Sequence, residues 1–188
     1  MRVDPRAAVL VSLLGVSCAS GPSPRWAQGG APIEIVAAYW SDDESTVEIH
    51  PSGEVREDDQ LLFKLDRKGR ISTADGTRVA VLLPDGSLVA EDDAVLGWVH
   101  GGSSFRADRY TPAVYMFPSG QVVVADEDGR WSAAGQWVHC DGLMRWTCTL
   151  VTHVLAAREQ KEGGGGGGSG AGQALELLRL LELLKLAH

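Results

Sequence analysis

Apolar and polar residues alternate along most of the chain in short runs, and each run ends at a turn signal. The runs at 34–40, 45–50, 60–65, 77–83, 87–90, 94–100, 112–117, 120–125, 130–139 and 143–154 read as strands. Between them stand Lys68-Gly69, Asp75-Gly76, Asp128-Gly129 and Asp141-Gly142. Three further turns share one form: Pro51-Ser52-Gly53, Pro84-Asp85-Gly86 and Pro118-Ser119-Gly120. Proline presets φ at the first turn position, Ser or Asp caps the turn, and glycine takes the position with φ > 0. The prolines are 33 and 34 residues apart, and each unit then reaches an acidic cluster: Glu57-Asp58-Asp59, Glu91-Asp92-Asp93 or Asp126-Glu127-Asp128. This spacing predicts an all-β domain over 33–160, an antiparallel meander of three repeats of about 33 residues. Closing it into a small barrel removes exposed edges, and a β-sandwich is the alternative.

The ends of the chain differ from this pattern. Residues 18–32 are rich in Gly, Pro, Ser and Ala and read as a flexible tether. Residues 161–172 contain six consecutive glycines and read as a linker. Beyond it, 173–188 carries eight leucines, with Glu176, Arg179, Glu182 and Lys185 at every third place. That composition predicts a hydrophobic helix. Docking on a partner or on its own domain, self-association, or a place in a membrane interface are its expected fates. The sequence does not distinguish a native tail from an engineered one.

Charge narrows the partners. The chain has 17 basic and 25 acidic residues, a net charge of -8. This argues against nucleic acid, which requires basic patches.

The first eighteen residues carry the address. Arg2 and Arg6 precede an uncharged apolar run, Ala7 to Val16, which is too short to span a bilayer. Leu14-Gly15-Val16-Ser17 then leads into Cys18. The stretch resembles the lipobox signal of bacterial lipoproteins and departs from it at Gly15, where that family most often has leucine. The resemblance implies a signal peptide at 1–17, a lipid on Cys18 and anchorage in the bacterial cell envelope. Ala19 after the cysteine points to the outer membrane by the same family's pattern. The alternative is an ordinary secretory signal cut near 19–21. The hairpin region loosely resembles Asp-Gly repeats of uncharacterised exported lipoproteins, which implies a fold and no activity.

Candidate chemistry is sparse. Cys140 and Cys148 form an exported pair close in sequence and are expected to be oxidised to a disulfide. The acidic clusters read as solvated turns and no metal site is expected, with Asp126 and Asp128 the alternative candidates for a cation. Trp131 and Trp137 are six apart, so a regular strand points both to one face. With Trp98 they are candidates to line a ligand cavity or stack on a sugar, or to fill the core. The stretch 97–109, rich in Gly, Ser and Arg, is the expected binding loop. No catalytic motif stands out, Ser103-Ser104 lacks a nucleophile elbow, and no cofactor is implied. The reading is a lipid-anchored interaction or structural module, with a small-ligand barrel as the alternative.

Overall fold

The computed structural model describes residues 25–41, 46–126 and 128–163, with side chains to 157. Cys18, Glu127, most of the expected linker and residues 173–188 lie outside the described residues. Twelve strands form the wall: β1 (Ala38–Ser41), β2 (Thr46–Ile49), β3 (Glu54–Glu57), β4 (Gln60–Leu65), β5 (Arg70–Ser72), β6 (Arg78–Leu82), β7 (Ser87–Ala90), β8 (Val95–His100), β9 (Ser103–Phe105), β10 (Pro112–Met116), β11 (Gln121–Ala125) and β12 (Trp131–Val138). Every strand pairs antiparallel with its neighbours in sequence. β1 closes the ring on β12 through Tyr39↔Val138 and Trp40↔Trp137. The architecture is therefore the closed antiparallel barrel, not the sandwich.

Hairpins that close at one rim share a device. In the pairs β3–β4, β5–β6, β7–β8, β9–β10 and β11–β12 the register skips one residue of the second strand. The skipped residues are Leu62, Val79, Leu96, Ala113 and Ala134, the first four 17 apart. Each bulge bends its strand and increases local twist, which helps a sheet curve shut. At the other rim, turn glycines at 53, 69, 86, 102 and 120 each accept a bond from the next hairpin, at the N–H of Leu65, Leu82, Val99, Met116 and Trp137. A Cβ on Gly53 would lie 2.0 Å from the Leu65 carbonyl oxygen, and one on Gly120 2.1 Å from that of Trp137. The recurring unit is thus one hairpin of about 17 residues, and the prolines at 51, 84 and 118 mark every second one.

The run 143–154, expected as a strand, is instead the first part of a helix, α1 (Met144–Gly163). Met144 and all residues from Thr147 to Val154 are buried. A helix with no wet side lies inside its protein. Its side chains bond to the Glu34, Val99 and Met116 carbonyls, to Ser104 and to Trp137, groups spread around the wall. It therefore occupies the barrel interior, because twelve strands enclose more space than wall side chains fill. The β-branched residues that suggested a strand are accommodated locally. Thr149 Oγ1 donates to the Arg145 carbonyl at 2.7 Å, and Thr152 Oγ1 to that of Cys148 at 2.8 Å. Gly97 lets the helix approach β8, since a Cβ there would lie 2.2 Å from His153 Nε2. Among the described residues no helix is long and apolar enough to cross a membrane.

The expected tether is packed from Arg25 onward. A 3-10 turn, Arg25–Gln28, sets Trp26 on the outer face of β6 and β7, against Val81 and Val89. The Asp93 carboxylate accepts the N–H groups of Arg25 and Trp26, both at 2.9 Å. Ala31 N then donates to the Leu82 carbonyl, and Ile33 and Ile35 join the core. Trp26 and Ala31 within the expected tether, with Ile33 and Ile35 just after it, hold a segment whose composition reads as loose. The expected linker at 161–172 likewise begins inside α1, which runs to Gly163.

Candidate functional site

Three places bear on function: the helix-filled interior, the rims and the outer wall.

In the interior, Cys140 and Cys148 form a disulfide with Cα atoms 6.0 Å apart. It ties the turn after β12 to the second turn of α1. Trp137 is buried, and its Nε1 donates to Thr152 Oγ1 at 2.8 Å. It also meets Trp40 edge to face at 5.6 Å. No local motif announces the pair His153 and Ser104, 49 residues apart, whose Nδ1 and Oγ are 3.0 Å from one another. Burial pushes the His153 pKa down to about 4, against an opposing pull from the Leu96 carbonyl and with Arg106 reinforcing it. A hydroxyl beside a neutral imidazole is the geometry of a nucleophile and its base. Here Ser104 has no solvent exposure, so the pair joins α1 to β9 rather than facing a substrate.

Trp131 and Trp137 do not share a face. Trp137 points inward, while Trp131 is half exposed outside. The bulge at Ala134 shifts the alternation by one residue between them, which the rule of twos cannot foresee. Trp98 lies apart from both, on the outer wall, with the Arg109 guanidinium 4.3 Å from its ring centre. The three expected ligand-binding tryptophans are therefore not brought together. About half of the expected 97–109 loop is strand, in β8 and β9, and what remains is the turn at Gly101–Gly102 and the one that starts at Arg106.

The acidic clusters do share one rim, since all stand in turns between an odd strand and the next even one. Their carboxylates are used locally. Asp58 accepts from Thr46 N and Asp92 from Ala94 N, while Asp93 holds the N-terminal segment. Asp126 accepts from Arg130 N at 2.8 Å, and Asp128 faces the Arg130 guanidinium at 3.6 Å. Among the described residues no three His, Cys, Asp or Glu side chains group to hold a metal ion. Neighbouring turns behave alike. The Thr73 hydroxyl bond, then Thr77 N, lowers the Asp75 pKa, and bonds from Thr111 and Tyr110 lower that of Asp108.

The outer wall carries an uncovered apolar face on β1, β12, β11 and β10. Tyr39 and Val138 sit opposite each other in the ladder and are exposed by 43% and 49%. Tyr39 meets the His139 ring edge-on. Two strands away, Tyr115 and Phe117 pack edge to face at 4.9 Å, both more than a third exposed. Between them lie the outward Gln121 and Gln136, directly paired, and Val123 opposite Tyr115. Val36 and Leu143 add exposed apolar surface on the rim where β1 starts and β12 ends. No residue in this strip is charged. Apolar residues gathered on one face in this way differ from the singly scattered ones that are ordinary on a protein surface.

Comparison with known protein families, with curated proteins and with solved structures finds no match.

Proposed function

We propose that this chain is an exported, lipid-anchored protein of the bacterial cell envelope, held through Cys18. Its barrel is a rigid, non-enzymatic module that meets an envelope protein through the apolar face of β1, β12 and β10. The observation that carries the interaction role is that uncharged face, open among the described residues, with Tyr39 and Val138 on one side and Tyr115 and Phe117 on the other of the Gln121–Gln136 pair. Interface centres are enriched in such residues and depleted of charge. The ligand-carrier alternative would have to find its volume outside the space α1 occupies. Envelope anchorage is supported by the sequence of residues 1–18 alone.

Two measurements test this. Palmitate incorporation in a bacterial host is expected for the wild type and lost in Cys18→Ser; no label in the wild type would remove the anchor. A photo-reactive residue at Val138 is expected to cross-link one defined envelope protein in intact cells, while the same probe at Trp131, at the other rim, does not. Equal yields at both positions would end the assignment of this face.

A further inference from the structure

The uncovered face has a candidate occupant within the same chain, and the argument rests on reading that face as an interaction surface. We propose that residues 173–188 dock on it as an amphipathic helix, so that the chain covers its own interaction surface until a partner displaces the cover.

Four observations lead there. The first is pattern. On a helix, Leu177, Leu180, Leu181 and Leu184 stand at i, i+3, i+4 and i+7 and make one uncharged stripe, while Glu176, Arg179, Glu182 and Lys185 fall on the opposite half among Leu175, Leu178, Leu183 and Leu186. The second is charge. The four charged residues cancel, and the outward residues named on β1, β12, β11 and β10 carry none, with Glu48 bordering them opposite Tyr39. A neutral helix on a neutral apolar strip suits groove-type recognition and not attraction to an anionic bilayer.

The third is reach. α1 starts at the rim where β12 ends and runs inside the barrel, so it leaves by the opposite rim. Nine residues, 164–172, then reach at most about 30 Å, and a sixteen-residue helix is about 24 Å long. The segment can therefore begin at the rim α1 leaves and run along the wall past Tyr115 and Tyr39. A link of only nine residues also sets a local concentration near the millimolar range, which favours the chain's own segment over a second copy. The fourth is position. β6 stands six places from β12 in the ring of twelve, so the segment that leads back to Cys18 lies on the far side. Six residues separate Cys18 from Arg25. A membrane held there meets the β6–β7 side and leaves the β12 side free.

Hydroxyl-radical footprinting of the full chain tests this, comparing wild type with the double variant Leu180→Glu/Leu184→Glu. These residues lie beyond the barrel, so the fold is kept, and circular dichroism checks it. Oxidation of Tyr39, Tyr115 and Phe117 is expected to rise several-fold in the variant, with Tyr110 and Trp131 unchanged as references. Equal oxidation in the two proteins would overturn the proposal. Protection that disappears on dilution would overturn it in favour of a second copy, and protection seen only with phosphatidylglycerol vesicles in favour of a lipid surface. A changed footprint without any Val138 cross-link in cells would leave the cover standing and remove the partner.

Discussion

Two patches of outer wall, on opposite sides of the ring, show different solutions to one problem. On β6 and β7, Val81 and Val89 face outward and would be wet, but Trp26 lies over them, fixed by Asp93 and flanked by the Arg78 guanidinium at 5.3 Å. On β1, β12 and β10, Tyr39, Val138, Tyr115 and Phe117 face outward with nothing over them among the described residues. The first patch is small aliphatic and shielded by a chain flank. The second is aromatic and left open. The difference teaches that this barrel does not rely on polar outward positions alone, and that the flanks of the chain belong to the surface as much as the strands do.

That comparison can be broken or sharpened by measurement. The largest expected effect lies beneath both patches, in the helix that supports the wall. His153 is neutral in the fold because burial lowers its pKa from 6.5 to about 4. The unfolded chain takes up its proton near pH 6.5, whereas the folded chain does so only near pH 4. This contribution is therefore complete above pH 6.5 and falls by about 3 kcal/mol as the pH drops to 4. Urea unfolding across that window should show the slope in wild type and lose it in His153→Gln. Hydrogen exchange at pH 4 should show β7 and β12 weakened together; weakening of one alone would mean the faces do not share this support.

Next comes the cover itself. Trp26→Ala should cost about 2 kcal/mol, less than for a fully buried tryptophan because Trp26 is only half-buried. Urea midpoints measure it, and increased binding of a hydrophobic dye would mark the newly opened β6–β7 face. Asp93→Asn should cost about 1 kcal/mol. Asparagine tolerates the left-handed backbone of Asp93, at φ 66°, but loses the charge that strengthens two backbone bonds. The smallest effect belongs to the open face. Tyr39→Ser should change barrel stability by less than about 0.5 kcal/mol when 173–188 carries Leu180→Glu/Leu184→Glu, because its ring then keeps only the edge contact with His139. A larger cost there would show that Tyr39 already supports the wall.

The hairpins were legible because their signals are local. Turn chemistry at 51–53, 84–86 and 118–120, alternation along the strands and two nearby cysteines each need only a few consecutive residues. What escaped depends on enclosure. Residues 144–154 carry Thr147, Thr149, Val151, Thr152 and Val154, a strand-like composition, and a helix buried on every side has no polar stripe to announce it. β5 and β9 have three residues each and hide inside apparent loops. The bulge at Ala134 leaves no mark in the pattern, so the faces of Trp131 and Trp137 were misjudged. Of the candidate site, Tyr39, Val138, Tyr115 and Phe117 come from three strands and become one face only when β1 meets β12.

That closing ladder also governs the order of assembly. Trp40 and Trp137 are 97 positions apart and are direct partners, so the wall cannot shut until nearly the whole barrel sequence is present. α1 follows β12 in the chain yet ends inside the ring. The seam between the first and last strands must therefore stay open until the helix is seated, or reopen to admit it. Pairings this distant in sequence form slowly. A chain built in this way remains unclosed for as long as the segment that carries β12 and α1 is missing.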